Sequence, residues 1–153
     1  MTARFEFGKV EPAALQAMMG LERYVRESGL DQTLIELIKV RASQINRCAF
    51  CIDMHTKDAR HAGETEQRLY ALNAWEETPF FTPQERAVLA LTEAVTHIGD
   101  KGVPDAVYAA VSHYFTPDRI AQLLMAIVAI NAWNRISITT QMVPGSYRVE
   151  AAA

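Results

Sequence analysis

Residues 41–65 read RASQINRCAFCIDMHTKDARHAGET, and they contain both cysteines of the 153-residue chain, Cys48 and Cys51, with His55 four positions further on. The stretch divides at the cysteines. Before them ends a helix, QTLIELIKVRASQIN (32–46), that Asp31 can cap, with Leu34, Leu37, Ile38 and Ile45 on one face. From them a further helix runs to Gly63, a residue that accepts the left-handed conformation common at helix ends. At about 100° per residue, Cys48, Cys51 and His55 then share an arc of about 100°. One helical surface gathers two thiols and an imidazole.

Working outward, the remaining segments also read as helices, and strand patterns are hard to find. Glu11 to Ser28 carries Pro12 in its first turn and Leu15, Met18, Leu21 and Val25 at helical spacing, and it stops at Gly29. A short helix spans about Glu64 to Trp75, and Pro79 closes it. Thr82-Pro83 with Glu85, and Thr116-Pro117-Asp118, are two start signals of the same kind. Between them lie the loop GDKG and a helix from Pro104 to Tyr114. The last long helix, about Asp118 to Thr139, is apolar around most of its circumference, which predicts a place at the centre of the domain or in a subunit contact. Asn131, Asn134 and Arg135 mark where it emerges, and QMVPGSY follows as irregular chain. The expected fold is all-α: one domain over 1–153, a bundle of six to seven helices.

Composition narrows the function classes. Half of the residues are hydrophobic and 22% are charged, as in a globular protein long enough to bury about 70% of its unfolded surface. A net charge of −3 without basic clusters gives no footprint for nucleic acid or an anionic membrane. The N-terminus interrupts its apolar residues with Arg4, Glu6 and Lys9, so it has no signal-peptide core, and the longest apolar run, Leu123 to Ile130, is too short to span a bilayer. The expected location is cytoplasmic, where thiols are kept reduced and a Cys-X-X-Cys pair is redox-active or metal-binding rather than a structural bridge.

His55, one turn from Cys51, is placed to take that thiol's proton directly or through a water, leaving a reactive thiolate. Cys48 stands at the helix N-terminus, which also favours a thiolate. A peroxide could oxidise Cys51 to a sulfenic acid, Cys48 could condense with it, and a dithiol could restore the pair. Two other readings stand beside this one. The pair could be half of a zinc site completed by His55 or His61, which one helix alone cannot surround tetrahedrally, or two inert buried thiols beside a satisfied histidine. His61, His97 and His113 read as surface or loop residues, and Trp75 and Trp133 as packing residues.

These residues resemble the alkylhydroperoxidase D-like proteins, grouped with the carboxymuconolactone decarboxylases. The shared pattern is a glutamate, eleven residues, then Cys-X-X-Cys-X-X-X-His, here Glu36, Cys48, Cys51 and His55. The similarity covers about residues 15–97, and the C-terminal NAWNRISI...VPGSY, from Asn131 onward, is similar to the tail of one small bacterial branch. The resemblance implies an antioxidant peroxidase of small organic hydroperoxides, all-helical and assembled as a trimer or hexamer. It implies Cys51 as the peroxidatic thiol, Cys48 as the resolving thiol, His55 as the proton relay and Glu36 as the group that orients or deprotonates His55. No bound cofactor or metal is implied; the reductant would be an external lipoyl or thioredoxin-like dithiol. By helical arithmetic alone Glu36 lies about 200° from the apolar arc centred near Leu34, with Lys39 and Ser43 nearby, and reads as a solvated carboxylate. The resemblance instead places it inward. Arg41 falls within the apolar arc, where it either snorkels or pairs with a carboxylate. Phe50 stands where the best-known peroxidase branch has a histidine. The alternatives are a decarboxylase-type lyase using His55 and Glu36 as acid and base, or a non-catalytic oligomeric binding protein; the tail carries no chemistry in any of them.

Overall fold

The computed structural model describes residues 2–149, so the outermost positions of the expected domain, 1 and 150–153, lie outside the described residues. Eight α-helices follow one another: α1 (Phe7–Val10), α2 (Pro12–Glu27), α3 (Gln32–Asn46), α4 (Ala49–His61), α5 (Glu66–Ala71), α6 (Pro83–Thr96), α7 (Asp105–Ser112) and α8 (Pro117–Thr140). A 3-10 turn at Leu72–Glu77, kinked at Ala74, continues α5. No strand occurs among the described residues. The one-turn α1 is the element that sequence patterning missed; it has no buried residue, and therefore no apolar periodicity to betray it.

The punctuation read from the sequence operates as expected at most ends. Asp31 accepts from the Leu34 amide at 3.2 Å and starts α3. Thr82 and Glu85 form a reciprocal capping box on α6, an arrangement worth about 1 kcal/mol. Gly29 and Gly63 take the positive φ angles that end α2 and α4. Thr116 is an exception, since its hydroxyl makes no capping bond to α8.

The centre of the bundle is α3 rather than α8. Residues 34 to 40 of α3 are buried without a break, so this helix is enclosed on every side by α4, α6, α8 and the 3-10 turn. Leu34, Ile35, Ile38 and Ala42 join the larger apolar cluster with α6 and α8, which includes both cysteines. Leu37 and Val40 join a second cluster with Leu69, Trp75 and Phe81. The helix α8 buries Leu123, Ile127 and Ile130 but leaves Val128 and Ile138 nearly half exposed. It is long and apolar enough to cross a membrane by composition, yet 44% of its apolar window is buried inside the bundle, and it packs on α2, α3, α4, α6 and α7 as a core helix does.

Between α3 and α4 only Arg47 and Cys48 lie outside helix. Arg47 adopts the left-handed region at φ 58°, and the Cys48 amide reaches back to the Ser43 carbonyl at 3.0 Å. This tight closure of α3 fixes Cys48 as the N-cap of α4.

Candidate active site

Two apolar faces of α3 are accounted for by the two clusters; a third carries Gln32, Glu36, Lys39, Ser43 and Asn46. Their spacing of four, three, four and three residues draws one line along a helix. In a chain exposed to water this would be the solvated face. Here Glu36 is 4% exposed, Lys39 7%, and Ser43 fully buried. The solvated-carboxylate reading of Glu36 is thus corrected: neighbouring helices cover the stripe from Glu36 onward, with Glu36 partnered by His55 of α4, Lys39 by Glu22 of α2, Ser43 by Asn134 of α8, and Asn46 by Asn131 and Asn134 of α8.

His55 projects from α4 toward Glu36, with Nδ1 3.2 Å from Glu36 Oε2 and 3.6 Å from Asp58 Oδ2. Each carboxylate is held from behind. Gln32 Nε2 donates to Glu36 Oε1 at 2.8 Å, and the Tyr147 hydroxyl donates to Asp58 Oδ1 at 2.6 Å. Burial works against a charged His55, but the bonds from Asp58 and Glu36 outweigh it and raise its pKa above the ordinary value. Asp58 is lowered: burial opposes its charge, and the His55 and Tyr147 hydrogen bonds overcome that.

The Cys48 and Cys51 sulfur atoms lie 2.9 Å apart, both buried, and share a hydrogen bond. Donation from the Cys51 thiol draws Cys48 down to about 6 against the effect of burial, and the same bond together with burial pushes Cys51 up. Such a pair titrates as a unit, releasing one proton readily and retaining the other. Behind it, Ser137 Oγ is 3.7 Å from Cys51 Sγ. Asn134 Nδ2 donates to Ser43 Oγ, and Asn46 Nδ2 donates to the Asn131 and Asn134 side-chain oxygens. Asn134 therefore does not mark the emergence of α8. It is wholly buried, part of an amide and hydroxyl chain that places dipoles against the sulfurs.

A cavity of about 830 Å³ opens onto this assembly. Cys51, His55, Asp58, Lys39 and Ser137 line it, and Cys48 does not. Its apolar wall includes Phe5, Phe7, Phe50, Met54 and Trp133. Met142, Val143, Ser146 and Tyr147 complete the wall from the C-terminal segment, which is fastened to α4 through Gly145 N to Asp53, Lys57 Nζ to the Tyr147 carbonyl, and Tyr147 to Asp58. The tail is thus part of the cavity wall.

Sequence reasoning missed Lys39, Asp58, Ser137 and Tyr147. Asp58, three residues after His55, was available as a helical neighbour; Tyr147 carried no local signal. Arg41 pairs with a carboxylate, Glu93, at 2.8 Å. Among the described residues, the ligating side chains close enough to share a metal ion are Glu36, His55 and Asp58, within 4.8 Å of one another. The cysteines are not in that group, so the zinc reading built on them finds no support in the geometry.

This combination, an all-helical bundle with a buried Glu-(11 residues)-Cys-X-X-Cys-X-X-X-His constellation, defines an alkylhydroperoxidase D-like protein. The chain belongs to the carboxymuconolactone decarboxylase family, whose sequence model matches residues 12–94. It is 47% identical over 138 residues to YdfG of Bacillus subtilis (strain 168), an uncharacterized protein, covering 90% of this chain and 94% of the relative. Its structure superposes with a TM-score of 0.92, at 42% identity, on ATU0492 of Agrobacterium tumefaciens, a protein of unknown function placed with the antioxidant defence protein AhpD; 95% of this chain and 100% of that one are covered. A peroxidase-related protein of Ralstonia eutropha JMP134 with an alkylhydroperoxidase AhpD core shares the fold at a TM-score of 0.80 and 20% identity, over 91% and 74% of the two chains.

Proposed function

We propose that the chain is a dithiol-dependent peroxidase of small organic hydroperoxides. The observation that carries this reading is the pair of sulfurs 2.9 Å apart, one of them at the wall of an apolar cavity that also presents His55. Electrostatics favour charge on Cys48, and access favours reaction at Cys51. Passage of one proton between the two sulfurs reconciles them.

With the proton on Cys48, the Cys51 thiolate attacks an oxygen of the hydroperoxide. An S–O bond forms, the O–O bond breaks, and the departing alkoxide takes a proton from His55, which Glu36 and Asp58 keep charged. Cys48 then attacks the sulfenic sulfur of Cys51. The S–S bond forms, the S–O bond breaks, and hydroxide leaves with the Cys48 proton as water. An external dithiol, lipoyl or thioredoxin-like, returns the two electrons and protons. An oligomer, trimeric or hexameric, would cover apolar side chains such as Val128 and Ile138 on the outside of α8.

Steady-state consumption of cumene hydroperoxide with a dithiol tests the reading. Turnover is expected in the wild type and should collapse in Cys51→Ser; equal turnover in that variant removes Cys51 from the mechanism. The buried His55 and Glu36 also suit acid–base chemistry on a lactone carboxylate, as the family's name implies. That second reading predicts lyase activity surviving in the Cys48→Ser/Cys51→Ser double variant.

A further inference from the structure

The C-terminal segment walls the cavity, but that role alone does not account for where the segment is tied. Two of its ties, Gly145 N to Asp53 Oδ2 at 3.0 Å and Lys57 Nζ to the Tyr147 carbonyl at 3.2 Å, are ordinary bonds to the outer side of α4. The third differs in length and in target. The Tyr147 hydroxyl donates to Asp58 Oδ1 at 2.6 Å, the separation of a charge-assisted O–H···O bond, and the other oxygen of that carboxylate, Oδ2, lies 3.6 Å from His55 Nδ1. One carboxylate thus joins the tail to the proton donor.

Of the two carboxylates at His55, Asp58 is the one that needs a tie. The Glu36 side chain is 6% exposed on a helix enclosed on every side, and packing holds it. The Asp58 side chain is 23% exposed, so water competes for it, and its soft terminal torsion would let Oδ2 turn away from His55. The charges around His55 make that loss felt. Burial and the Lys39 ammonium of α3 oppose a charge on the imidazole, and without Asp58 the carboxylate left to favour it is Glu36. Lys39 is paired with Glu22 of α2; Arg26 of α2, Cys51, and Glu6, which pairs with Lys9, line the same cavity, and α8 brings to it the uncharged Trp133 and Ser137.

We propose, building on the peroxidase reading, that Tyr147 is a positioning residue for the proton donor. Its hydroxyl fixes the Asp58 carboxylate toward His55, so that the docked C-terminal segment both walls the substrate cavity and readies His55 to protonate the departing alkoxide.

Tyr147→Phe tests this, since it removes the hydroxyl and keeps the ring in the wall. Titration of His55 followed by NMR of its ring nitrogens, with His61, His97 and His113 as internal references and no hydroperoxide present, reads the tie directly. His55 should lose its proton at lower pH in Tyr147→Phe than in the wild type. Asp58→Asn, which removes the charge itself, should shift it in the same direction, and adding Tyr147→Phe to Asp58→Asn should shift it no further. In turnover, the alkaline limb of kcat/KM should move to lower pH in Tyr147→Phe, with a loss on that limb of up to about tenfold, the scale of one hydrogen bond to a charged group. An unchanged His55 titration in Tyr147→Phe, or an equal further shift on adding it to Asp58→Asn, would overturn the assignment. Failure of the wild type to consume any hydroperoxide would instead remove the peroxidase reading, and the His55 titration would still decide whether Tyr147 acts through Asp58.

Discussion

The chain builds the same charge pattern twice, a base between two carboxylates, and only one of the two faces the cavity. In the first, His55 stands between Glu36 and Asp58. In the second, Arg68 lies 2.8 Å from Glu64 and 2.5 Å from Glu85, donates to the Phe80 carbonyl, and stacks over Phe81 at 4.7 Å. Arginine remains charged throughout the accessible pH range and its planar fork saturates fixed acceptors. It ties α5 to the start of α6, where Glu85 also caps the helix. Histidine titrates near neutrality, and hydrogen bonds to its carboxylates outweigh burial and raise its pKa beside a cavity lined by a thiol. The same pairing of charges thus serves as a strut around Arg68 and, in the proposed chemistry, as a proton donor at His55, according to the base and its access to solvent or substrate.

The sharpest way to break that contrast is to replace each base. His55→Gln keeps a donor for Glu36 but no titrating group, and peroxide turnover should fall about 10²- to 10⁴-fold while the urea midpoint moves little. Arg68→Met should do the reverse. It strands two carboxylates and should lower stability by about 3 kcal/mol, read as a shifted urea midpoint, with kcat per folded molecule unchanged. Equal losses of stability and turnover in both variants would dissolve the distinction.

Titration sharpens it further. With Cys48 drawn down to about 6 by the Cys51 thiol, alkylation by iodoacetamide should rise as pH passes through about 6, well below the ordinary cysteine value of roughly 8.5. Because this folded pKa is depressed, its contribution to stability is complete above the unfolded value and is lost as pH falls through 6. His55 has the opposite sign: its raised pKa stabilises below the unfolded value, and that contribution fades as pH rises through the folded one. Arg68, held above an already high pKa against burial by its hydrogen bonds to Glu85 and Glu64, should show no change over this interval. The smallest effect belongs to the strut's own end, where Thr82→Ala should remove one capping bond and about 1 kcal/mol, measured by thermal unfolding, with no change in thiol reactivity.

Most of the bundle was legible because glycine, proline and capping residues punctuate it, and because Cys51 and His55 lie one turn apart on a single helix, where arithmetic suffices; Cys48, read into the same arc, is instead the extended N-cap of that helix. Glu36 and Lys39 were misread by the same arithmetic. Periodicity sorts a helix into a buried and a wet side, and α3 has no wet side. A regular line of polar residues from Glu36 to Asn46 is what a third packed face looks like when partners on neighbouring helices satisfy it. The helix α8 shows the converse, since its apolar circumference suggested either the centre of the domain or a subunit contact, and within one chain the structure leaves Val128 exposed. Tyr147, 89 positions from the Asp58 it holds, is joined to the site by tertiary folding alone, which no local pattern records.

The central claim is that the two neighbouring sulfurs trade electrons with a hydroperoxide inside one chain. Intact mass measured after one equivalent of cumene hydroperoxide tests it most directly. The account predicts a loss of two hydrogens that a dithiol restores and that either Cys48→Ser or Cys51→Ser prevents. An unchanged mass, or a loss that persists in those variants, would contradict it.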